Sequence, residues 1–186
     1  MRVTAERRTE TRQRILDAAS RLFRQHGIDG VGVDAIMHAA GLTHGGFYAH
    51  FDSKEALVVE AGAASLARSA TRWEEASRKE DKAAALARIV EVYLDPAHVT
   101  GPERGCILPA LGADVARRSE ARHAISAELR RMLAALERCL PGRDPQNAKA
   151  ALACLVGAVL LARLADDEAL AQGFLDAAKA AVIAGE

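Results

Sequence analysis

The chain has 186 residues, 50% of them apolar and 27% charged, with Lys plus Arg and Asp plus Glu balanced at 25 each. That length supports one or two domains around a substantial core, and the composition is that of a soluble globular protein. Zero net charge excludes a generally basic nucleic-acid coat but leaves room for a local basic face.

Alanine dominates and alternating Val/Ile/Thr runs are absent, so the expected fold class is all-α. Near the N-terminus, Arg2, Arg7, Arg8, Arg12, Arg14, Arg21 and Arg24 outnumber Glu6, Glu10 and Asp17. Such a cluster is either a solvated helix face or a face for DNA. No apolar core follows these arginines, which excludes a secretory signal, and the cytoplasm is the expected location. The first helix is expected over residues 9–26, with Ile15, Ala18, Ala19, Leu22 and Phe23 at helical spacing and Gly27 as its stop. A second follows over 33–40, with Ile36, Ala39 and Ala40 inward, and Gly41 supplies the left-handed residue of a sharp turn. A third spans 43–51, capped by the Thr43 hydroxyl, with Phe47 and Phe51 towards the core.

Asp52 or Ser53 caps a long fourth helix, and Asp52 with Glu55 resembles a capping box. Leu57, Val58, Ala61 and Leu66 carry this helix out of the three-helix head towards Trp73. The expected division is therefore a head over 1–52 and a second helical domain over 53–186. In the second domain, 82–94 is amphipathic through Leu86, Ile89, Val90 and Tyr93, and 95–105 reads as a loop. A short helix over 106–117 tolerates Pro109 in its first turn. A long helix over 119–140, a break over 141–145, and two last helices over 145–165 and 167–184 complete about nine in all. The longest apolar run, 150–162, is short for a membrane span and reads as a buried helix.

The stretch 40–57, AGLTHGGFYAHFDSKEAL, holds the densest chemistry. A tight turn leads into a very short helix bearing His44, Gly45, Tyr48 and His50, with Lys54 in the first turn of the next helix. Aromatic, histidine and lysine groups this close together suit a helix lying on a phosphate backbone, the recognition element of a helix-turn-helix. Thr43, Tyr48, His50 and Lys54 are the expected phosphate partners, and His44, Gly45 and Gly46 are best placed over base edges. The alternatives are a core role for Tyr48, an exposed bystander at His50 and a solvated charge at Lys54. His26 and His38 read as surface residues.

The segment from about residue 9 to 57 resembles the DNA-binding head of the TetR family of bacterial one-component regulators. The resemblance rests on Ile15-Leu16-x-Ala18-Ala19-x-x-Leu22-Phe23, Asp34-Ala35-Ile36, Ala40-Gly41-Leu42-Thr43, and Gly46-Phe47-Tyr48-x-His50-Phe51 with Lys54. It implies a homodimer on palindromic operator DNA, and repression released when a small-molecule inducer binds the C-terminal ligand-binding and dimerisation domain. Gly32 stands where the family often has a hydroxyl entering the second helix, and His44 where it often has Lys or Arg. Both departures weaken the electrostatic share of DNA affinity.

Pocket candidates in the second domain are Trp73, Tyr93, His98, Cys106, Leu111 and His123, the aromatic or polarisable groups among apolar helices. Cys106 near a helix N-terminus is either a low-pKa sensor thiol or a small apolar pocket residue. The family's electrophile-sensing members make a thiol-based repressor the alternative function. Cys139 and Cys154 read as packing, and no CxxC or Cys/His spacing indicates a metal. Arg163 is a charge at the bundle edge or a pocket cation. Ala153, Gly157, Leu160 and Leu164, with Phe174 and Ala178 on the last helix, form the expected dimer face. No nucleophile elbow, phosphate loop or triad pattern is present, so neither an enzyme nor a cofactor is expected, an all-α enzyme being a distant alternative.

Overall fold

The computed structural model describes residues 5–78 and 81–184; Arg2 of the basic N-terminal group lies outside them. Among the described residues the regular elements are all helical. They are α1 (Ala5–His26), α2 (Val33–Ala39), a 3-10 helix (His44–Ala49), α3 (Lys54–Ser77), α4 (Lys82–Tyr93), α5 (Pro96–Thr100), α6 (Ile107–Ala116), α7 (Ser119–Cys139), α8 (Pro145–Leu164) and α9 (Glu168–Ala184), with short 3-10 turns at Pro102–Arg104 and Pro141–Arg143.

The head is built on α1, which buries Ile15, Ala18, Ala19 and Phe23 and ends at Gly27 with φ +75°. It starts at Ala5, before the expected residue 9, because the polar run ahead of Ile15 gives a periodicity count nothing to register. In α2 it is Met37, not Ala39, that joins Ile36 inside; Ala39 is exposed. Gly41 takes φ +69° and makes the interhelical turn, as its lack of a Cβ permits.

The recognition element departs from the expected α-helix over 43–51. It is a six-residue 3-10 helix, and Thr43 occupies its N-cap position without a side-chain cap bond. Two adjacent glycines are poor helix formers, which favours the short, tight form over a longer α-helix. At the start of α3, the Ser53 hydroxyl accepts the Ala56 N–H at 3.0 Å. Asp52 and Glu55 form no capping box; Glu55 pairs with Arg118 at 3.4 Å instead.

The 24 residues of α3 run unbroken from the head into the body, burying Leu57, Val58 and Ala61 near α1 and Leu66, Ala70 and Trp73 beyond. It lies along α7, and a Cβ on Gly62 would come within 3.3 Å of Ile125. The expected loop over 95–105 is α5 plus a 3-10 turn, started by Asp95, whose carboxylate accepts the Ala97 N–H at 2.8 Å, and by Pro96 at the first helical position. Helix α8 is the one helix among the described residues long and apolar enough to cross a membrane. Its Leu152, Leu155 and Val159 are buried, and it packs on α7 and α9.

Candidate nucleic-acid interface and ligand cleft

The recognition helix presents its groups outward. Thr43, His44, Gly45 and Tyr48 are exposed, Gly46, His50 and Lys54 half-buried, and Phe47 and Phe51 buried beneath them. Tyr48 is 66% exposed and stands edge-on to Phe47, centroids 5.2 Å apart, so the core makes no demand for it. A Cβ on Gly45 would meet nothing within 4 Å, so packing within the chain does not demand the glycine there.

His44 Nδ1 is 2.5 Å from Asp34 Oδ1, so the ring is anchored by α2 and its free nitrogen is Nε2. The His50 pKa is lowered, first by burial and then by the charges of Arg8 and Arg12, which keeps the ring neutral; its buried Nδ1 has no partner. Lys54 opens α3, where the positive end of the helix adds to its charge.

Arg8, Arg12, Arg14 and Arg24 of the basic N-terminal group bond within the chain, although Arg8 and Arg14 stay exposed. Arg8 donates to the Ala49 carbonyl at 3.0 Å, and Arg14 donates to the Ala40 carbonyl. Arg12 pairs with Glu60 at 2.5 Å and lies 4.3 Å over the Phe51 ring. Arg24 donates to the Ser20 and Ser65 hydroxyls, each at 2.7 Å, and to the Glu103 carbonyl at 3.0 Å. Burial above all pushes its pKa down to about 10. These side chains therefore brace the recognition helix and join the head to the body.

A cleft of about 750 Å³ opens between α3, α4 and the 95–106 segment. Trp73, Tyr93, His98 and Cys106 line it as expected, but Leu111 and His123 do not. Leu111 is buried in α6 beside Phe23 and Val58, and His123 is exposed on α7. Arg72, Arg88 and Arg104 line the cleft as well, unexpected from the sequence because nothing in it separates a cleft arginine from a solvated one.

The aromatic groups form a chain: Trp73 is edge-on to Tyr93 at 5.5 Å and Tyr93 to His98 at 4.8 Å. His98, 9% exposed, donates Nδ1–H to the Tyr93 carbonyl at 2.6 Å and accepts the Cys106 N–H on Nε2 at 2.8 Å. Burial chiefly lowers its pKa, so the ring is neutral and its tautomer set by these two bonds. Gly105 fits against the ring because it has no Cβ: one there would lie 2.2 Å from His98 Cδ2.

Cys106 holds the N-cap position of α6, where the helix favours a thiolate. Burial nevertheless raises its pKa, outweighing the lowering by the Leu108 N–H, Tyr93, Arg24 and Arg72. The resting group is a thiol, which favours the small apolar pocket residue over the low-pKa sensor among the two readings of Cys106. Cys139 is buried and also raised, chiefly by burial. Arg163 reaches inward, donating Nη2 to the His98 carbonyl at 2.8 Å.

On α8, Ala153, Leu160 and Leu164 are exposed and Gly157 is half-buried, so they share one accessible face. Leu161 and Leu170, 44% and 47% exposed, extend it. Phe174 is half-buried on α9, whereas Ala178, 4% exposed, belongs to the chain's own core.

A short helix displayed beyond a glycine turn, braced on a three-helix head and continuous with an all-helical body, defines a helix-turn-helix protein of the two-part kind. Residues 15–61 match the family model described as bacterial regulatory proteins, tetR family. The HTH-type transcriptional regulator AcrR of Shigella flexneri is 46% identical over 59 residues, 32% of this chain and 27% of that protein. The HTH-type transcriptional repressor KstR2 of Rhodococcus jostii is 46% identical over 54 residues, 29% of this chain and 24% of that one. The matched segments thus span only about a quarter of these relatives' length. The reduced form of NemR from E. coli shares the fold, with a TM-score of 0.78 at 23% identity over 91% of this chain and 95% of that chain. Over residues 15–61 this chain is thus similar to the N-terminal domain of bacterial regulators of the tetR family.

Proposed function

We propose that the protein is a cytoplasmic, non-enzymatic transcriptional regulator: a homodimeric repressor that sits on palindromic operator DNA and is released by a small molecule bound in the cleft. The observation that carries this is the exposed set Thr43, His44, Gly45 and Tyr48 on one short helix, beside Lys54 at a helix start. Hydroxyls, Lys54 and ring nitrogens position the head on phosphates, and His44 with the glycines faces base edges. Residues 1–52 serve as the DNA-binding unit and 53–186 as the ligand-binding and dimerisation unit. The exposed face of α8 supports pairing of two copies into a four-helix bundle, which sets the heads one DNA turn apart. The relative KstR2 is a repressor, which supports that direction of control.

Release needs a link from the cleft to the head, and two are available. One is α3, shared by both units. The other runs from Cys106 and Gly105 in the cleft wall to Glu103, whose carbonyl accepts from Arg24 of α1. An inducer acts by binding the splayed state of the dimer more tightly than the DNA-bound one. Screening small molecules for release of bound operator tests this function. Arg24→Ala should keep operator affinity within about threefold but shrink the inducer's effect by about tenfold, since coupling energies lie near 1–3 kcal/mol. An unchanged inducer response in that variant would remove the Arg24 link.

A thiol-sensing repressor is the second reading, favoured by the position of Cys106 in the cleft wall and by the likeness to NemR, whose structure is that of a reduced form. Its raised pKa works against it. Release of DNA by a mild electrophile from wild type, but not from Cys106→Ser, would establish it; equal behaviour would dispose of it.

A further inference from the structure

Tyr93, in the cleft wall, and Arg163, outside the lining but bonded to His98 of that wall, each bury a polar atom short of a good partner. Tyr93 is 5% exposed and its hydroxyl makes no hydrogen bond. The Cys106 thiol interacts with it, but a thiol is a weak partner for a phenol. Arg163 has its Nη2 on the His98 carbonyl, while its buried Nε–H is left without an acceptor. Buried donors are normally satisfied, and their desolvation is recovered when a ligand supplies the missing acceptor.

The field at this end of the cleft is positive. Arg24 and Arg72 act on the Cys106 thiol, Arg163 acts on Tyr93, and Arg163 and Arg72 act on His98. Among the described residues Asp95 is the carboxylate that acts on His98, and it is engaged at the α5 N-terminus with the Ala97 N–H. Arg72, Arg88 and Arg104 line the cleft against the two carboxylates Glu75 and Asp95, and Arg104 also pairs with Glu103 at 3.5 Å. The rest of the wall is apolar or aromatic through Trp73, Ile89 and Val92.

We infer that the effector of this cleft is an organic acid, its carboxylate directed to the Tyr93 hydroxyl and the Arg163 guanidinium and its apolar body lying along Trp73, Ile89 and Val92. The inference rests on the cleft being the effector site proposed above. The cleft volume, about 750 Å³, falls in the usual small-molecule range. A cation would meet like charge, and a neutral apolar molecule would leave both donors unpaired.

Trp73 is the only tryptophan in the chain, so its fluorescence reports the cleft directly. The full-length protein is titrated with decanoate and 4-phenylbutyrate, and with the primary amides of both. The acids should bind at least about tenfold tighter than the amides, as a charge-assisted hydrogen bond predicts, and the gap should narrow as salt rises. Tyr93→Phe should weaken acid binding about fivefold, the loss of one hydrogen bond. Arg163→Gln should erase the preference for acid over amide, and Arg163→Lys should restore part of it, each variant being checked by thermal unfolding. Amides binding as tightly as the acids would overturn the acid assignment while leaving the cleft as the effector site. If neither acids nor amides move Trp73 fluorescence, the acid assignment also falls. If compounds that release operator DNA leave Trp73 unmoved as well, the cleft reading falls with it.

Discussion

Tyr48→Ala is expected to weaken operator binding by about a hundredfold or more and to leave thermal stability nearly unchanged. A hydrogen bond to a charged group contributes about 1.5–3 kcal/mol, and a dimer loses it in both heads. Stability should hold because Tyr48 is 66% exposed and only its ring edge rests on Phe47. Phe47 itself is 0% exposed, so Phe47→Ala should lower stability by about 3–5 kcal/mol and abolish binding by unfolding the head. Lys54→Ala should act differently again, lowering affinity across all sequences and reducing the salt slope by about one per head. Gel-shift titrations at several salt concentrations, beside thermal melts, separate the three. Wild-type affinity in Tyr48→Ala would show that this helix does not face DNA.

The second large effect belongs to Gly105→Ala. Its new Cβ would lie 2.2 Å from Cδ2 and 2.6 Å from Nε2 of His98, a ring that has little freedom to move. The Tyr93 carbonyl and the Cys106 N–H hold it from two sides, and the Tyr93 ring packs on its face or edge at 4.8 Å. Relieving the clash breaks both bonds and strands their buried partners, a loss of about 3 kcal/mol or more. For a chain of this size that lowers the melting temperature by about 6–12 °C. A melt within about 2 °C of wild type would mean the segment has another arrangement close in energy.

The same ring gives the protein a pH dependence whose sign follows from burial. The folded-state pKa of His98 lies below its ordinary value, so folding favours the neutral ring. The unfolded chain therefore binds the proton more readily, and stability from this group is present above the ordinary histidine pKa, about 6.5, and lost as pH falls below it. His50, also lowered, contributes with the same sign. Melts between pH 8 and 5 should thus fall more steeply for wild type than for His98→Gln, in which only the His50 contribution remains. Equal slopes would assign the dependence elsewhere.

How much of this was legible in the sequence differs from element to element, for physical reasons. Apolar spacing from Ile15 to Phe23 and from Leu86 to Tyr93 marks helices directly, and Gly27 and Gly41 mark turns whose positive φ only glycine adopts easily. The candidate contact groups were legible as a dense run of histidine, aromatic and lysine residues, and the fold leaves Tyr48 among them 66% exposed. The shape of that helix was not, since α and 3-10 forms share their residue preferences over so few residues. Local pattern also says nothing about the arginines. Arg8, Arg14 and Arg24 find backbone carbonyls 41, 26 and 79 residues away, and only the folded chain brings these together. Cys106 illustrates the same limit: its place before α6 was readable and left a thiolate and an apolar packing residue both open, and the burial that decides between them is a tertiary property. His123 and Leu111 show that aromatic or polarisable character alone does not locate a cleft wall.

DNA reading by the His44–Ala49 helix is the property on which the proposed function depends. Selection of bound fragments from a random-sequence duplex pool by the full-length protein tests that most directly, followed by affinity measurements on the winning sequence as salt is raised. The prediction is enrichment of an inverted repeat with half-sites about one helical turn apart, and an affinity that falls steeply and linearly in log–log form with salt. A pool that emerges with no enriched sequence, or binding indifferent to salt, would contradict it.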